Sequence, residues 1–195
     1  MRMFLSRLVR LDPQALVRLR PQPPAVWAML PFGVLVTQHL EPPPVQDVTY
    51  RAADLLTTDA PAQRRDGEWR WPLPSSSGRV VETIPVAHIV RLAEAAARTV
   101  RTATAEGVFG RRVGERALRD ALLDHVAIVV TTDTGERLEI PQRMIQGLVR
   151  MGLHGVTGDS IGDGQVTVSL AMGWIGLSGR HGSTWYRPIS PLRLS

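Results

Sequence analysis

Three stretches of this 195-residue chain hold residue types that could do chemistry. Gly158-Asp159-Ser160-Ile161-Gly162-Asp163-Gly164 sets a serine hydroxyl among glycines and two carboxylates. Such a serine becomes a nucleophile only where a base and oxyanion donors surround it. Asp159 and Asp163 could also offer oxygens to Ca²⁺, but EF-hand spacing is not met and no glutamate stands at the twelfth position. Arg64-Arg65 followed by Trp69-Arg70-Trp71 is the second stretch. Rings beside guanidinium groups in a loop suit single-stranded nucleic acid, by stacking and phosphate neutralisation. They also suit protein contacts, where Trp and Arg dominate the binding energy, and the purely structural reading has both tryptophans tucked under the loop against the core. Asp66 and Glu68 interrupt the basic run and favour the protein reading. Third, Arg143 and Arg150 lie seven residues apart on one predicted helix face, and with Arg180 and Arg187 they could form a basic strip.

The glycine-flanked serine block resembles the first block of the GDSL-type esterases, in which that serine is the nucleophile. The resemblance implies an ester hydrolase centred on Ser160 and covers only the segment Gly158–Gly164. In that family the block lies near the chain start, an asparagine helps form the oxyanion hole, and an aspartate precedes the histidine by three residues. Here the block lies late and the chain has no asparagine. The only downstream histidine, His181, has no aspartate three residues before it. The block therefore reads as a polar connecting loop, and the Ser160 hydrolase stands third among the functional readings.

What the chain lacks closes other routes. It has no lysine, asparagine or cysteine, so its 23 basic residues are all arginine. A lysine Schiff base, a P-loop lysine, a cysteine nucleophile, a thiolate zinc site and disulfides are excluded. The five histidines, His39, His88, His125, His154 and His181, are scattered, with no i,i+4 pair and no H-E-x-x-H. No catalytic residue, metal site or cofactor is assigned, and the chain reads as leaning away from an enzyme.

The net charge of +5 is concentrated at the ends. Residues 1–40 carry five arginines and one acid, residues 41–163 carry 15 arginines and 17 acids, and residues 164–195 carry three arginines and no acid. Were the termini to meet, they would make one basic face. With 44% hydrophobic and 21% charged residues the chain has the balance of a globular protein. Its basic start and the apolar run near Ala25–Val36 outline a signal peptide, but Pro31 interrupts the run and no cleavage pattern follows. The run is also shorter than the roughly 20 residues that cross a bilayer. The expectation is a cytoplasmic protein.

The elements that must position these residues follow from periodicity. Met1–Arg20 is partly amphipathic, with Phe4, Leu5, Leu8 and Val9 on one helical face, and Gly33–Leu40 reads as a buried strand. Val45–Tyr50 suits an edge strand, bounded by Pro42-Pro43-Pro44. Thr57–Gly78 is Pro- and Ser-rich and reads as a linker or long loop. Arg79–Ile84 predicts a strand, Pro85 opens a helix to about Val100, and a second helix runs from about Val113 to His125. Asp133-Thr134-Gly135 turns a hairpin, and Pro141 starts a third helix capped by Gly152. Gln165–Met172 alternates as a strand, Met172–Gly176 suggests a bulge or close approach, and Gly179-Arg180-His181-Gly182 turns a last hairpin. Trp174 and Trp185-Tyr186 are expected to face each other across it.

The fold class read from this pattern is α+β: an antiparallel sheet with about three helices packed on it, and a β-rich N-terminal segment joined by the Pro/Ser-rich loop. The boundaries expected are 1–56 for the basic, β-rich segment, 57–78 for the linker and 79–195 for the α+β core. The leading functional reading is a non-catalytic interaction protein, a regulatory, adaptor or assembly subunit binding a protein partner. The candidate residues are Arg64, Arg65, Trp69, Arg70, Trp71, Arg143, Arg150, Arg180 and Arg187. A nucleic-acid-binding protein using the basic ends and the Trp69–Trp71 loop is the alternative. A membrane partner is disfavoured, and a homo-oligomer is compatible with the sequence.

Overall fold

The basic N-terminal stretch divides in two. In the computed structural model, which describes residues 1–57, 61–74, 78–106, 115–155 and 164–188, helix α1 (Arg2–Leu11) buries Phe4, Leu5 and Leu8. It stops at Asp12, whose extended backbone is the one favoured before proline, and the Asp12 carboxylate accepts the Gln14 amide at 2.8 Å. The expectation of one amphipathic stretch to Arg20 is thus corrected, because β1 (Leu16–Pro21) follows with a period of two. Val17 and Leu19 face the core while Arg18 and Arg20 take the other side.

Prolines then reverse the chain. Strand β2 (Pro24–Met29) pairs antiparallel with β1, Pro21 opposite Pro24. A second reversal, closed by the Leu30 amide on the Val34 carbonyl at 2.8 Å, leads into β3 (Leu35–His39). The apolar run thus supplies two strands where the sequence suggested one. Strand β4 (Val48–Arg51) pairs only with β1 and forms an edge of the sheet, as expected for the segment after the prolines.

In the second half β5 (Arg79–Pro85) leads into helix α2 (Val86–Glu106), followed by α3 (Glu115–Asp124). The hairpin β6 (Val126–Thr131) and β7 (Arg137–Pro141) forms a separate two-stranded sheet and runs straight into α4 (Gln142–Arg150). Gly152, at φ +64°, ends that helix in the left-handed conformation that glycine adopts without strain. Strands β8 (Gln165–Ala171), β9 (Trp174–Gly179) and β10 (Gly182–Tyr186) form two successive hairpins. The break at Gly107 and Gly110, the helix start at Val113, the serines at 75–77, Asp159, Ser160, Asp163 and Arg193 lie outside the described residues.

All strands but β6 and β7 join one antiparallel sheet in the order β4-β1-β2-β3-β10-β9-β8-β5. The fold is α+β, with four helices among the described residues. Pairing of β3 with β10 puts the N-terminal strands beside the C-terminal hairpins. Arg7 donates to the Met151 carbonyl at 2.7 Å beneath the sheet, whereas Arg18 pairs with Asp47 above it at 2.7 Å. No helix among the described residues is long and apolar enough to cross a membrane.

The helices cover one face of the sheet. Phe4 and Leu8 of α1, Ile89 of α2, and Met144, Ile145 and Leu148 of α4 pack with Val17, Val26, Val36, Val168 and Leu177 in one core. Helix α4 is buried almost all round, and its Gly147 is what lets it lie so close to the strands. A β-carbon there would stand 3.3 Å from both Leu30 Cδ1 and Thr184 Cγ2, already tight before any branch is added. Gly147→Val should therefore destabilise the protein by about 1–3 kcal/mol through overpacking, read as a lower urea midpoint with unchanged m-value.

Candidate partner-binding site

The face of the sheet opposite the helices is neither bare nor covered by a second layer. Register fixes what stands on it. Trp27 lies opposite Thr37, Thr37 opposite Ser183, and Ser183 opposite Ser178, whose hydroxyls meet at 2.8 Å. One step along, Met29, Leu35, Trp185 and Gly176 form a second row across β2, β3, β10 and β9. Trp185 lies directly over Gly176, where a β-carbon would come within 2.7 Å of the ring, so the close backbone approach expected in Met172–Gly176 occurs there. Met172 and Gly173 form the two-residue turn of the β8–β9 hairpin, both with positive φ. Trp174 and Trp185 share a cluster with Ala25, Trp27, Leu35 and Ala171, whereas Tyr186 alternates to the helix side.

A strap of chain spans this face between the sheet's two edge strands, β4 and β5. At β4 the Arg65 amide donates to the Thr49 carbonyl at 2.8 Å, and the Asp66 carboxylate accepts the Thr49 amide at 2.7 Å. That amide bond, followed by the Arg64 guanidinium at 2.8 Å, holds the Asp66 carboxyl below the usual carboxylate range. Arg65 is likewise committed, to Glu68 at 2.7 Å. Trp69 and Trp71 then pack edge to face, 5.1 Å between ring centres, against the cluster around Trp27 and Trp185. Trp69 Nε1 donates to the Trp71 carbonyl at 2.7 Å. Arg70, between them, is exposed.

Beside the strap, over β2, β3 and β10, a groove of about 470 Å³ remains open. Trp27, Thr37, Ser183 and Trp185 line it, and His39, Arg180 and His181 bring basic groups to it. No carboxylate lines it among the described residues. Trp27 and Trp185 are more than nine-tenths buried, and their indole N–H groups have no acceptor among the described residues. Behind the β9–β10 turn, burial, then Arg7, then His181 hold His154 below the ordinary histidine range.

The residues singled out in the sequence are thus split between the two faces. Arg64, Arg65, Trp69, Arg70 and Trp71 belong to the strap, and Arg180 to the groove. Arg143 and Arg150 belong to the helix layer on the other side, so the four-arginine strip is not formed. Arg143 donates to the Phe32 carbonyl at 2.7 Å, pairs with Asp124 and stacks 5.5 Å over Tyr186. Arg150 donates to Gln146 Oε1 at 3.2 Å, and Arg187 is exposed just after β10. Sequence reasoning missed Trp27, His39 and His181 as groove residues and read Trp185 only as a packing partner. One signal was present: Ala25, Trp27 and Met29 alternate with Val26, Ala28 and Leu30, so the strand is apolar on both faces.

A family model described as Domain of unknown function (DUF8185) matches residues 73–191, more than half of the chain. The chain belongs to the DUF8185 family. A second model, Domain of unknown function (DUF8010), matches residues 1–77, so the two matches meet within the strap. No curated protein matches the chain in sequence. Among solved structures, a DNA polymerase sliding clamp from Pseudomonas aeruginosa with ligand is 9% identical, with a TM-score of 0.49 over 96% of this chain. The DNA polymerase III subunit beta from the same organism is 10% identical, with a TM-score of 0.49 over 96% of this chain. This DUF8185 chain spans 62% of the length of each.

If the two strap rings hold this face together, Trp69→Ala should cost about 1–3 kcal/mol, less than a fully buried tryptophan because the ring is only partly buried. Arg70→Ala, with no contact to lose, should stay within about 0.5 kcal/mol. Chemical denaturation of the two variants beside the unmodified protein checks both.

Proposed function

We propose that the protein is a non-catalytic interaction module, a regulatory, adaptor or assembly subunit that holds an extended, acidic segment of a protein partner in the groove over β2, β3 and β10. The observation that carries this reading is the groove's chemistry: tryptophan rings and a hydroxyl row lined with basic groups, with no carboxylate in the lining among the described residues. An acidic segment complements that charge, and its apolar side chains find the ring faces. Tryptophan and arginine in a desolvated concavity are also the residues that dominate partner binding.

The strap favours a protein over a nucleic acid as partner. Arg64 and Arg65 are tied to Asp66 and Glu68, and Arg18 to Asp47, so these guanidinium groups are not free to neutralise phosphates. Trp69 and Trp71 spend their rings on each other and on the sheet, not on a stacking platform.

A photo-reactive phenylalanine analogue placed at His39, on the exposed rim of the groove, tests the reading in the producing cells. It should cross-link to an acidic segment of one protein, identified by sequencing the adduct, and Arg180→Glu in the same chain should cut the yield at least tenfold. Cross-linking to nucleic acid, an adduct that Arg180→Glu leaves undiminished, or no adduct would each contradict it.

A further inference from the structure

A second cavity, of about 240 Å³, lies on the opposite side of the molecule among α2, α3 and α4. Its floor is apolar because of what α2 contributes. Ala96, Ala97 and Val100 are too short to fill the space up to Leu122 and Leu123 of α3. Arg101, Arg119 and Arg150 line it as well, and no carboxylate does among the described residues.

The polar side of the cavity is held in place by the helix backbone. Gln142 and Gln146 of α4 are 3% and 8% exposed, and their side-chain amides donate to the Leu92 and Ala93 carbonyls of α2 at 3.3 and 3.2 Å. Gln146 then turns its Oε1 to Arg150 Nε at 3.2 Å. The guanidinium is therefore oriented by an amide that is itself anchored across two helices. Its two terminal amino groups have no partner among the described residues. A guanidinium fixed through Nε with its outer edge unused is the geometry that receives a carboxylate through parallel hydrogen bonds. Burial, and then the charge of Arg119, weaken the hold of Arg150 on its proton.

We propose that this cavity is a binding site for a small organic carboxylate with an apolar body, the head group on Arg150 and the body against Ala97, Val100 and Leu122. The size sets the class of ligand. At about 240 Å³ the space falls below the roughly 300–1,000 Å³ of drug-sized sites, which suits a short chain or a single ring better than a nucleotide or a large cofactor. The apolar floor separates the site from one for inorganic anions, which would gain nothing from the alanines and leucines. This site is independent of the groove on the other face and stands whether or not the groove binds a partner.

Isothermal titration calorimetry on the full chain with octanoate, octanol and acetate tests it. Octanoate should bind saturably with one site, and octanol and acetate, lacking the charge or the body, at least tenfold more weakly. Arg150→Met should weaken octanoate at least tenfold. Ala97→Leu, which fills the floor without touching a polar group, should abolish binding with the circular dichroism unchanged. Should Arg150→Met not fold, the comparison of the three probes and Ala97→Leu decide the matter on their own. No saturable binding of octanoate, equal binding of octanol, or an affinity that Arg150→Met leaves intact would overturn the proposal. So would loss of octanoate on Arg180→Glu, which would move the ligand to the groove.

Discussion

Three residue pairs hold the two ends of the chain together: Leu35 opposite Trp185, Val36 opposite Thr184, and Thr37 opposite Ser183. Among the described residues this pairing of β3 with β10 is the only one between the four N-terminal strands and the other four strands of the large sheet. It is short, and hydrogen bonds alone contribute little net stability, about 0.5–1.5 kcal/mol each. The seam is therefore secured by packing on both faces. Below, Gly147 admits α4 against Leu30 and Val34 on one side of the seam and Thr184 on the other, and Arg143 reaches over to the Phe32 carbonyl. Above, Trp185 joins Trp27 and Leu35 in the cluster on which the strap rests. The seam has one more requirement. Gly182 begins β10 at φ +153°, and a β-carbon there would run into the Thr37 carbonyl.

The two faces of the sheet are finished differently. The helix face is covered by α1, α2 and α4, with α3 packed outside on α2 and α4, and the short side chains of α2 leave a cavity beneath Arg150. Among the described residues the opposite face is covered only by the strap, which is pinned by Thr49 at one edge and rests on tryptophans in the middle. Next to it the groove is lined with rings, hydroxyls and basic groups. A rigid sheet that bears such a concavity has its contact residues already ordered, and less conformational entropy is lost when a partner binds.

Much of the fold was legible in the sequence because it is local. The alternation in β7 and β8, the apolar stripe of α2, the glycine after α4 and the Gly179–Gly182 turn each depend on neighbours in the chain. Two local readings failed for identifiable reasons. Arginines flank both α1 and β1, so the change of period at Asp12-Pro13 was masked by a uniform composition. The apolar run of β2 is hydrophobic on both faces and shows no alternation, the pattern of a strand covered from both sides. The candidate site was harder to see. Arg180 and the strap residues were found from composition. The groove, however, combines β2, β3 and β10, brought together by a pairing across most of the chain that no local pattern encodes.

Native-state hydrogen exchange across the seam, followed with increasing denaturant, tests the central claim that both halves of the chain form one unit with the groove built on their junction. The amides of β1, β2 and β3 should merge with those of β8, β9 and β10 into a single isotherm at the free energy of global unfolding. Two separate isotherms, one for the N-terminal strands and one for the C-terminal hairpins, would contradict it.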